Sequence, residues 1–282
     1  MLKLIGTLFK LILIFVLLAA VLSIGTFLYA KYVEPFRLTD KTVEISDPLF
    51  HDDMKIAFIS DTHFGFNYST DDFEKAVNEI NENEPDVVLF GGDLIDNLNN
   101  FSGSTAEISE KFSQIEAPQG KFAVFGNHDY GGGAAYKYET IMTNGGFRVL
   151  RNEIVDFSNA NVRLIGIDDC LLGSGAVSTA YSSNAGMYNL VLCHEPDVMD
   201  YVPDSNTDIF ISGHSHGGQV NLPYLTDRFL SNLGKKYIKG RYDLENNRHT
   251  IVYTNVGLGT TKAPYRLFAV PEITYFQFHP SS

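Results

Sequence analysis

Five short polar clusters carry most of the chemistry this chain can do. They are Asp61-Thr-His63, Gly92-Asp93-Leu-Ile-Asp96, Gly126-Asn127-His128-Asp129, Cys193-His194-Glu195 and Gly213-His214-Ser215-His216-Gly217. Five of the eight histidines fall in them; His51, His249 and His279 stand in no motif and read as ordinary surface or core residues. Each cluster alone is commonplace, since Asp-x-His or Gly-Asp at a strand end is usually just a turn. His-x-His is more specific: alternate residues of an extended segment point the same way, and a glycine on each side lets the backbone bend close to a ligand. It is the conjunction that argues for metal. Carboxylate, imidazole and amide oxygen suit Mn, Fe or Zn. One bridging carboxylate would let seven protein ligands serve two ions and leave positions for water and substrate. Two ions roughly 3.5–4 Å apart clamp the attacking and leaving oxygens of an in-line displacement. A mixed donor set with open positions favours catalysis over a closed structural site.

Strands place these clusters. Residues 55–60, 87–90 and 122–125 are short apolar runs, each ending at a cluster, and further strands are expected at 162–167, 188–193, 208–212, 250–254 and 273–278. A helix is expected from Thr70 to Asn83, capped by Thr70 or Asp71, with Phe73, Val77 and Ile80 on one face and Pro85 as its stop. A second helix is expected over 106–115. Alternating strands and helices, then a strand-rich half, argue an α/β domain with helices packed outside a buried sheet. Polar clusters just after the strands sit where open α/β sheets bind ligands.

The 282 residues carry 21 Lys+Arg against 34 Asp+Glu, a net charge of −13. Lys3, Lys10 and Lys31 precede residue 32 with no acid, so the remainder is at −16, which counts against sequence-blind nucleic-acid binding. Two cysteines, Cys170 and Cys193, exclude a disulfide framework and a four-cysteine zinc site; they read as buried thiols. Leu11 to Ala30 holds no charge and is bracketed by Lys10 and Lys31, with Tyr29 and Tyr32 at interfacial positions. Twenty residues span roughly 30 Å, the hydrocarbon thickness of a bilayer. Leu28-Tyr29-Ala30 lacks the small-x-small pattern of a cleaved signal peptide, so a retained single-pass anchor in the cell membrane is expected. The short leading tail favours a catalytic domain on the extracytoplasmic side. The division expected is 1–31 anchor, 32–53 linker and lead-in strand, and 54–282 catalytic domain. The one basic concentration lies between Arg228 and Arg248, where lysines and arginines alternate with aromatics; it reads as a solvated loop or as a surface for anionic lipid or phosphate. Arg266 reads as a surface salt bridge or a phosphate contact, and Phe64, Phe66 and Tyr68 as core or as pocket wall.

In this order, the five clusters resemble the signature of the calcineurin-like metallophosphoesterases, Asp-x-His, Gly-Asp-x-x-Asp, Gly-Asn-His-(Asp/Glu), His and Gly-His-x-His, with no ligand missing between residues 61 and 216. The His214-Ser-His-Gly-Gly-Gln219 run, Gly257-Leu-Gly259 and the stretch from Arg266 to Ile273 look like the membrane-anchored bacterial branch, which includes phosphodiesterases and UDP-2,3-diacylglucosamine pyrophosphatases. The resemblance implies a four-layer α/β sandwich of two mixed sheets flanked by helices, preceded here by one transmembrane helix. It implies one metal held by Asp61, His63, Asp93 and His216 and a second by Asp93, Asn127, His194 and His214, with Asp93 bridging. A hydroxide shared by the ions would attack phosphorus directly. His128 would stabilise phosphoryl oxygens or protonate the leaving group, and Asp96 would orient it; Asp129 reads as structural. The implied activity is hydrolysis of a phosphodiester or pyrophosphate, with a lipid or UDP-linked lipid as the substrate guess suggested by the anchor. Competing readings are a phosphatase or nuclease of the same fold and a non-catalytic metal-binding module. The sequence leaves the oligomeric state open.

Overall fold

The computed structural model describes residues 2–131, 133, 135–202 and 207–281, with residues 2, 3 and 181 described by backbone alone. Helix α1 (Leu2–Tyr32) is 31 residues long, about 46 Å at 1.5 Å per residue. Its side chains are exposed and apolar almost throughout, and among the described residues it is the one helix long and apolar enough to cross a membrane. After a short turn comes β1 (Thr39–Asp47), which pairs in parallel with the last strand, β12 (Glu272–Pro280). The segment expected as linker and entry strand therefore supplies an edge strand of a sheet.

The first sheet has the order β1-β12-β2-β3-β4-β5, with β2 (Met54–Ile59), β3 (Val87–Phe90), β4 (Lys121–Ala123) and β5 (Arg148–Val149) mutually parallel and β12 antiparallel to β2. The second sheet runs β10-β11-β9-β8-β7-β6. In it β7 (Val162–Gly166), β8 (Tyr188–Leu192), β9 (Ile209–Ser212) and β11 (Ile251–Thr254) are parallel, flanked by the antiparallel edges β6 (Glu153–Phe157) and β10 (Gly240–Asp243). Parallel strands buried on both faces read as unbroken apolar runs, and β3, β8, β9 and β11 are buried at every position.

Between the sheets lies a core that includes Phe58, Leu89, Val124, Leu190, Ile211 and Phe276. Helices α2 (Thr70–Glu82), α3 (Thr105–Ser113) and α5 (Ala135–Asn144) cover the outer face of the first sheet, and 3₁₀ turns at 177–182 and 196–201 cover that of the second. This is the expected α/β sandwich of two mixed sheets between outer layers. Helix α2 buries Phe73, Ala76, Val77 and Ile80 on one stripe. Its cap is Ser69, one residue before the expected Thr70, because Ser69 and Asp72 bond each other's backbone reciprocally in a capping box. Periodicity alone does not reveal the short elements β5, β6, β10 and α4 (Asn127–Gly131), because two to five residues carry too little of it.

Phe112 of α3 is the hub beneath the site loops. Its ring stacks on Phe73 at 4.6 Å and meets Phe90 and Phe147 edge-on at 5.4 Å each. Phe64, directly after the first cluster, joins the same group at 6.4 Å and is buried with Tyr68, which makes both core residues, while Phe66 is exposed. We expect Phe112→Ala to cost about 3–5 kcal/mol, read as a lowered melting temperature of the full-length protein in detergent.

Candidate metal centre

All five clusters leave the carboxyl ends of parallel strands. Asp61 and His63 follow β2, Asp93 and Asp96 follow β3, and Asn127 to Asp129 open α4 after β4; His194 follows β8, and His214 and His216 follow β9. The two sheets thus contribute to one site. Asp61, His63, Asp93, His214 and His216 all have φ between 43° and 67°, a left-handed conformation that non-glycine residues adopt at a cost of roughly 1–3 kcal/mol each. Neighbouring glycines let the loops close up. A Cβ on Gly126 would strike the Asp93 carboxylate and the His194 ring, and one on Gly213 would strike the Asp61 carboxylate.

The candidate donor atoms converge in two groups, Asp61–His63–His216 and Asp93–His194–His214, linked by a third, His63–Asp93–His128, each with its atoms within 4.8 Å of one another. Asp93 Oδ2 lies between them, 3.4 Å from His63 Nε2 and 3.2 Å from His194 Nε2. The other ring nitrogens set the tautomers. His194 Nδ1 donates to Gly91 O at 2.7 Å, so its Nε2 carries the lone pair. His214 Nε2 donates to Asn232 O at 2.8 Å, so its Nδ1 carries the lone pair, and that atom faces His194 Nε2 at 3.1 Å. His63 Nδ1 donates to Asp96 Oδ1 at 3.2 Å, which frees Nε2 toward His216 Nε2 at 3.1 Å. Asn127 Oδ1 is buried with no hydrogen-bond partner. Asn127 Oδ1 thus lacks a donor, and the facing Asp93, His194 and His214 atoms have at most a proton on His194 to join them, a place that a cation can take. The residues present fit divalent metal.

The electrostatics agree. Burial alone would raise Asp93, yet the imidazoles of His194 and His128 hold it well below the usual carboxylate range. Burial opposes charge on His194, but Asp93 raises it well above an ordinary imidazole, so this point favours positive charge. Burial and the neighbouring His194 push His214 down to about 3, and burial with His63 pushes His216 well below its ordinary value. Both rings are thus neutral and able to coordinate.

His128 and Asp96 are arranged less simply than the motif implies. His128 Nδ1 donates at 2.7 Å to the backbone carbonyl of Asp96, and the Asp96 carboxylate is 3.7 Å away. That carboxylate bonds His63 Nδ1 and accepts from Thr261 Oγ1 at 3.1 Å. Arg266 is fully buried, neither a surface salt bridge nor a phosphate contact. It donates to the carbonyls of Gly257, Gly259 and Ala269, with Nη2 3.4 Å from His216 Nδ1. Cys170 and Cys193 are free thiols beside Glu195, and His279 pairs with Glu44 and Asp53 away from the site. Thr261 and the carbonyls of Gly91 and Asn232 belong to the site without any sequence signal, since backbone acceptors leave none.

Asp129 ties two loops together. Its carboxylate accepts from the amides of Asp93 and Leu94 at 2.8 and 2.9 Å and from Gly126 at 2.9 Å. Burial and repulsion from Asp93 push it up to about 7 against the pull of those amides. A folded value above the unfolded one means ionised Asp129 is disfavoured in the fold at neutral pH, a burden that positive charge at Asp93 relieves. Asp129→Ala leaves three buried amides unpaired, each worth roughly 1–3 kcal/mol. We expect it to lower unfolding stability by about 3 kcal/mol or more and to reduce bound metal, measured by urea unfolding and metal analysis; Asp129→Asn should lose less of both.

Comparison with known proteins agrees with this geometry. Residues 54–218 match the sequence profile of the calcineurin-like phosphoesterases. The chain is 35% identical to the uncharacterised metallophosphoesterase YkuE of Bacillus subtilis, covering 89% of each chain. It is 30% identical to the phosphodiesterase YaeI of Escherichia coli, over 79% of this chain and 81% of that one. It is 26% identical to the UDP-2,3-diacylglucosamine pyrophosphatase LpxG of Chlamydia muridarum, over 88% of this chain and 91% of that one. On the clusters, their convergence and these similarities, the chain belongs to the calcineurin-like phosphoesterases, metal-dependent hydrolases of phosphoester bonds.

Proposed function

We propose that this protein is a membrane-anchored phosphodiesterase or pyrophosphatase that works with two divalent ions on a lipid or lipid-linked substrate. Residues 1–31 are the anchor, 32–53 the lead-in and 54–282 the catalytic domain on the extracytoplasmic side. One ion is assigned to Asp61, His63, Asp93 and His216, and the other to Asp93, Asn127, His194 and His214. The observation that carries this reading is Asp93 Oδ2, shared between His63 and His194 at 3.4 and 3.2 Å, the disposition of a bridging carboxylate. Divalent ions held there supply Lewis acidity to the phosphoryl group and lower the pKa of a water to near neutrality, so that it can act as nucleophile.

The chain's own residues do the rest. The Asp96 carbonyl accepts from His128 Nδ1 and fixes the ring, leaving Nε2 without a partner among the described residues. Burial works against a proton on His128, but Asp93 and Asp96 raise its pKa above an ordinary imidazole. The charged ring can then stabilise a phosphoryl oxygen and hand its proton to the leaving group. Buried Asp61 receives the His214 amide at 3.1 Å, which keeps the His-x-His segment in place.

A lipid-level substrate is supported by the short path from anchor to site. Ala30 O, at the end of the apolar span, accepts from Arg266 N at 2.9 Å, and the tip of that same side chain reaches His216. A single arginine thus separates the end of the membrane helix from a candidate ligand. With residues 11–30 filling the hydrocarbon layer, the site stands at headgroup height, where a lipid phosphate lies. The similarity to a phosphodiesterase and to a UDP-2,3-diacylglucosamine pyrophosphatase supports the same substrate class.

Purified protein should hydrolyse bis-p-nitrophenyl phosphate only with Mn, Fe or Zn added, and chelation should remove the activity. Asp93→Asn and His214→Ala should abolish turnover together with metal binding; full activity in Asp93→Asn refutes the bridging assignment. His128→Ala should lower kcat about 10²–10⁴-fold with metal content near normal. Because the His128 pKa is raised, its protonated form persists to higher pH and kcat should fall as pH rises through that value. Asp96→Asn should move this alkaline limb to lower pH.

A further inference from the structure

The N-terminal helix does not stand clear of the domain. The Ala30–Arg266 bond holds its end, Phe27 packs on Tyr265 with ring centres 6.2 Å apart, and the buried Glu34 carboxylate accepts the Ala269 amide at 2.8 Å. Between helix and domain these contacts leave a cavity of about 560 Å³. Leu22, Thr26 and Phe27 of α1 form one wall; Val220, Leu225 and Leu267 form the other. The size falls within the usual range for small-ligand sites, and the lining is mostly apolar, with the hydroxyls of Ser23, Thr26 and Tyr265 and one charged group. Arg228 lines the cavity, is exposed, and makes no ion pair or side-chain hydrogen bond among the described residues.

Half of the basic side chains in its stretch are met by acids. Lys236 pairs with Asp200 at 2.6 Å, Arg241 with Asp243 at 2.7 Å and Arg248 with Asp208 at 2.9 Å, so those three charges are met within the chain. Apolar side chains close to Arg228 in sequence, or next to the cavity-lining Leu267, are exposed as well. Tyr224 is 95% and Leu225 38% exposed, and Phe268, next to the cavity-lining Leu267, is 61% exposed. Large apolar groups gathered beside a membrane-spanning helix read as an interfacial contact rather than a water-facing loop.

We propose that α1 and the 220–230 segment form a binding site for one anionic phospholipid. One acyl chain occupies the slot, and the phosphate pairs with Arg228. This rests on the anchored reading above but not on the lipid being the substrate. The helix wall makes the slot continuous with the hydrocarbon layer, so an acyl chain enters without crossing water. The unpaired guanidinium at the slot selects a negative headgroup in a domain that is otherwise strongly acidic. The fixed contacts at Ala30, Phe27 and Glu34 hold the two walls apart at a set width.

The test uses full-length protein in mild detergent, titrated with dioleoyl phosphatidylglycerol or dioleoyl phosphatidylcholine and read by native mass spectrometry. A single retained phosphatidylglycerol adduct is expected, favoured over phosphatidylcholine. Arg228→Gln should weaken it about fivefold and erase the preference, while hydrolysis of bis-p-nitrophenyl phosphate stays unchanged and shows the fold intact. Leu267→Trp, which fills the slot, should lose both lipids. Equal retention of the two lipids, wild-type binding by Arg228→Gln, or a protein dimer in place of a lipid adduct overturns the proposal. Extraction of the chain from membranes by alkaline carbonate would refute the anchored reading instead. An intact adduct on a protein that splits no phosphodiester would refute only the functional reading.

Discussion

The structure is organised around one electrostatic demand: buried acceptors held within bonding distance of each other with at most a proton on His194 to join them. Asp93 Oδ2, His194 Nε2 and His214 Nδ1 face one another, and Asn127 Oδ1 has no partner. Clustered acceptors of this kind repel unless a cation joins them. Much of the rest serves to keep them there. The left-handed backbone at five ligand positions, the glycines that would clash if they carried a Cβ, and the three amides gathered by Asp129 all oppose relaxation of the loops. The strain in those loops is sustained by rigid parallel strands beneath them, which are buried at nearly every position.

A second layer determines which nitrogen each histidine presents. Gly91 O fixes His194, Asn232 O fixes His214, and Asp96 fixes His63 through its carboxylate and His128 through its carbonyl. Asp96 therefore serves two rings with two different atoms. This arrangement couples the presentation of His63 to the orientation of His128, because one loop controls both. Arg266 belongs to the same layer: its charge is spent on backbone carbonyls that shape the loop over Asp61, and its amide reaches the end of α1.

The fold and the site were legible to different depths. The strands at 87–90 and 188–192 and the helix over 70–82 follow from apolar runs and a clear stripe at helical spacing. Strand β1 and the edges β6 and β10 do not, because edge strands alternate with solvent and carry little hydrophobic signal. Arg266 was misleading because a charged side chain is ordinarily exposed; its burial depends on three carbonyls supplied by a loop whose shape no local rule specifies. The Arg228–Arg248 stretch looked uniformly basic, but folding pairs three of its six charges with Asp200, Asp243 and Asp208, while Arg228 lies beside the helix without an acidic partner among the described residues.

What the sequence by itself determined was the inventory: seven candidate ligands in order, in clusters that each follow an apolar run, and a charge-free segment long enough to cross a bilayer. These are local properties, since residue type and spacing along one strand or helix suffice to state them. What only the tertiary structure decided was sharing and proximity. Asp93 lies between two histidines that are 131 positions apart in the chain, Asp96 divides itself between His63 and His128, and the apolar N-terminal helix meets the site through Arg266. Such contacts arise where two sheets pack face to face and bring the ends of β3, β8 and β9 to one point, and no pattern within a single segment encodes that packing.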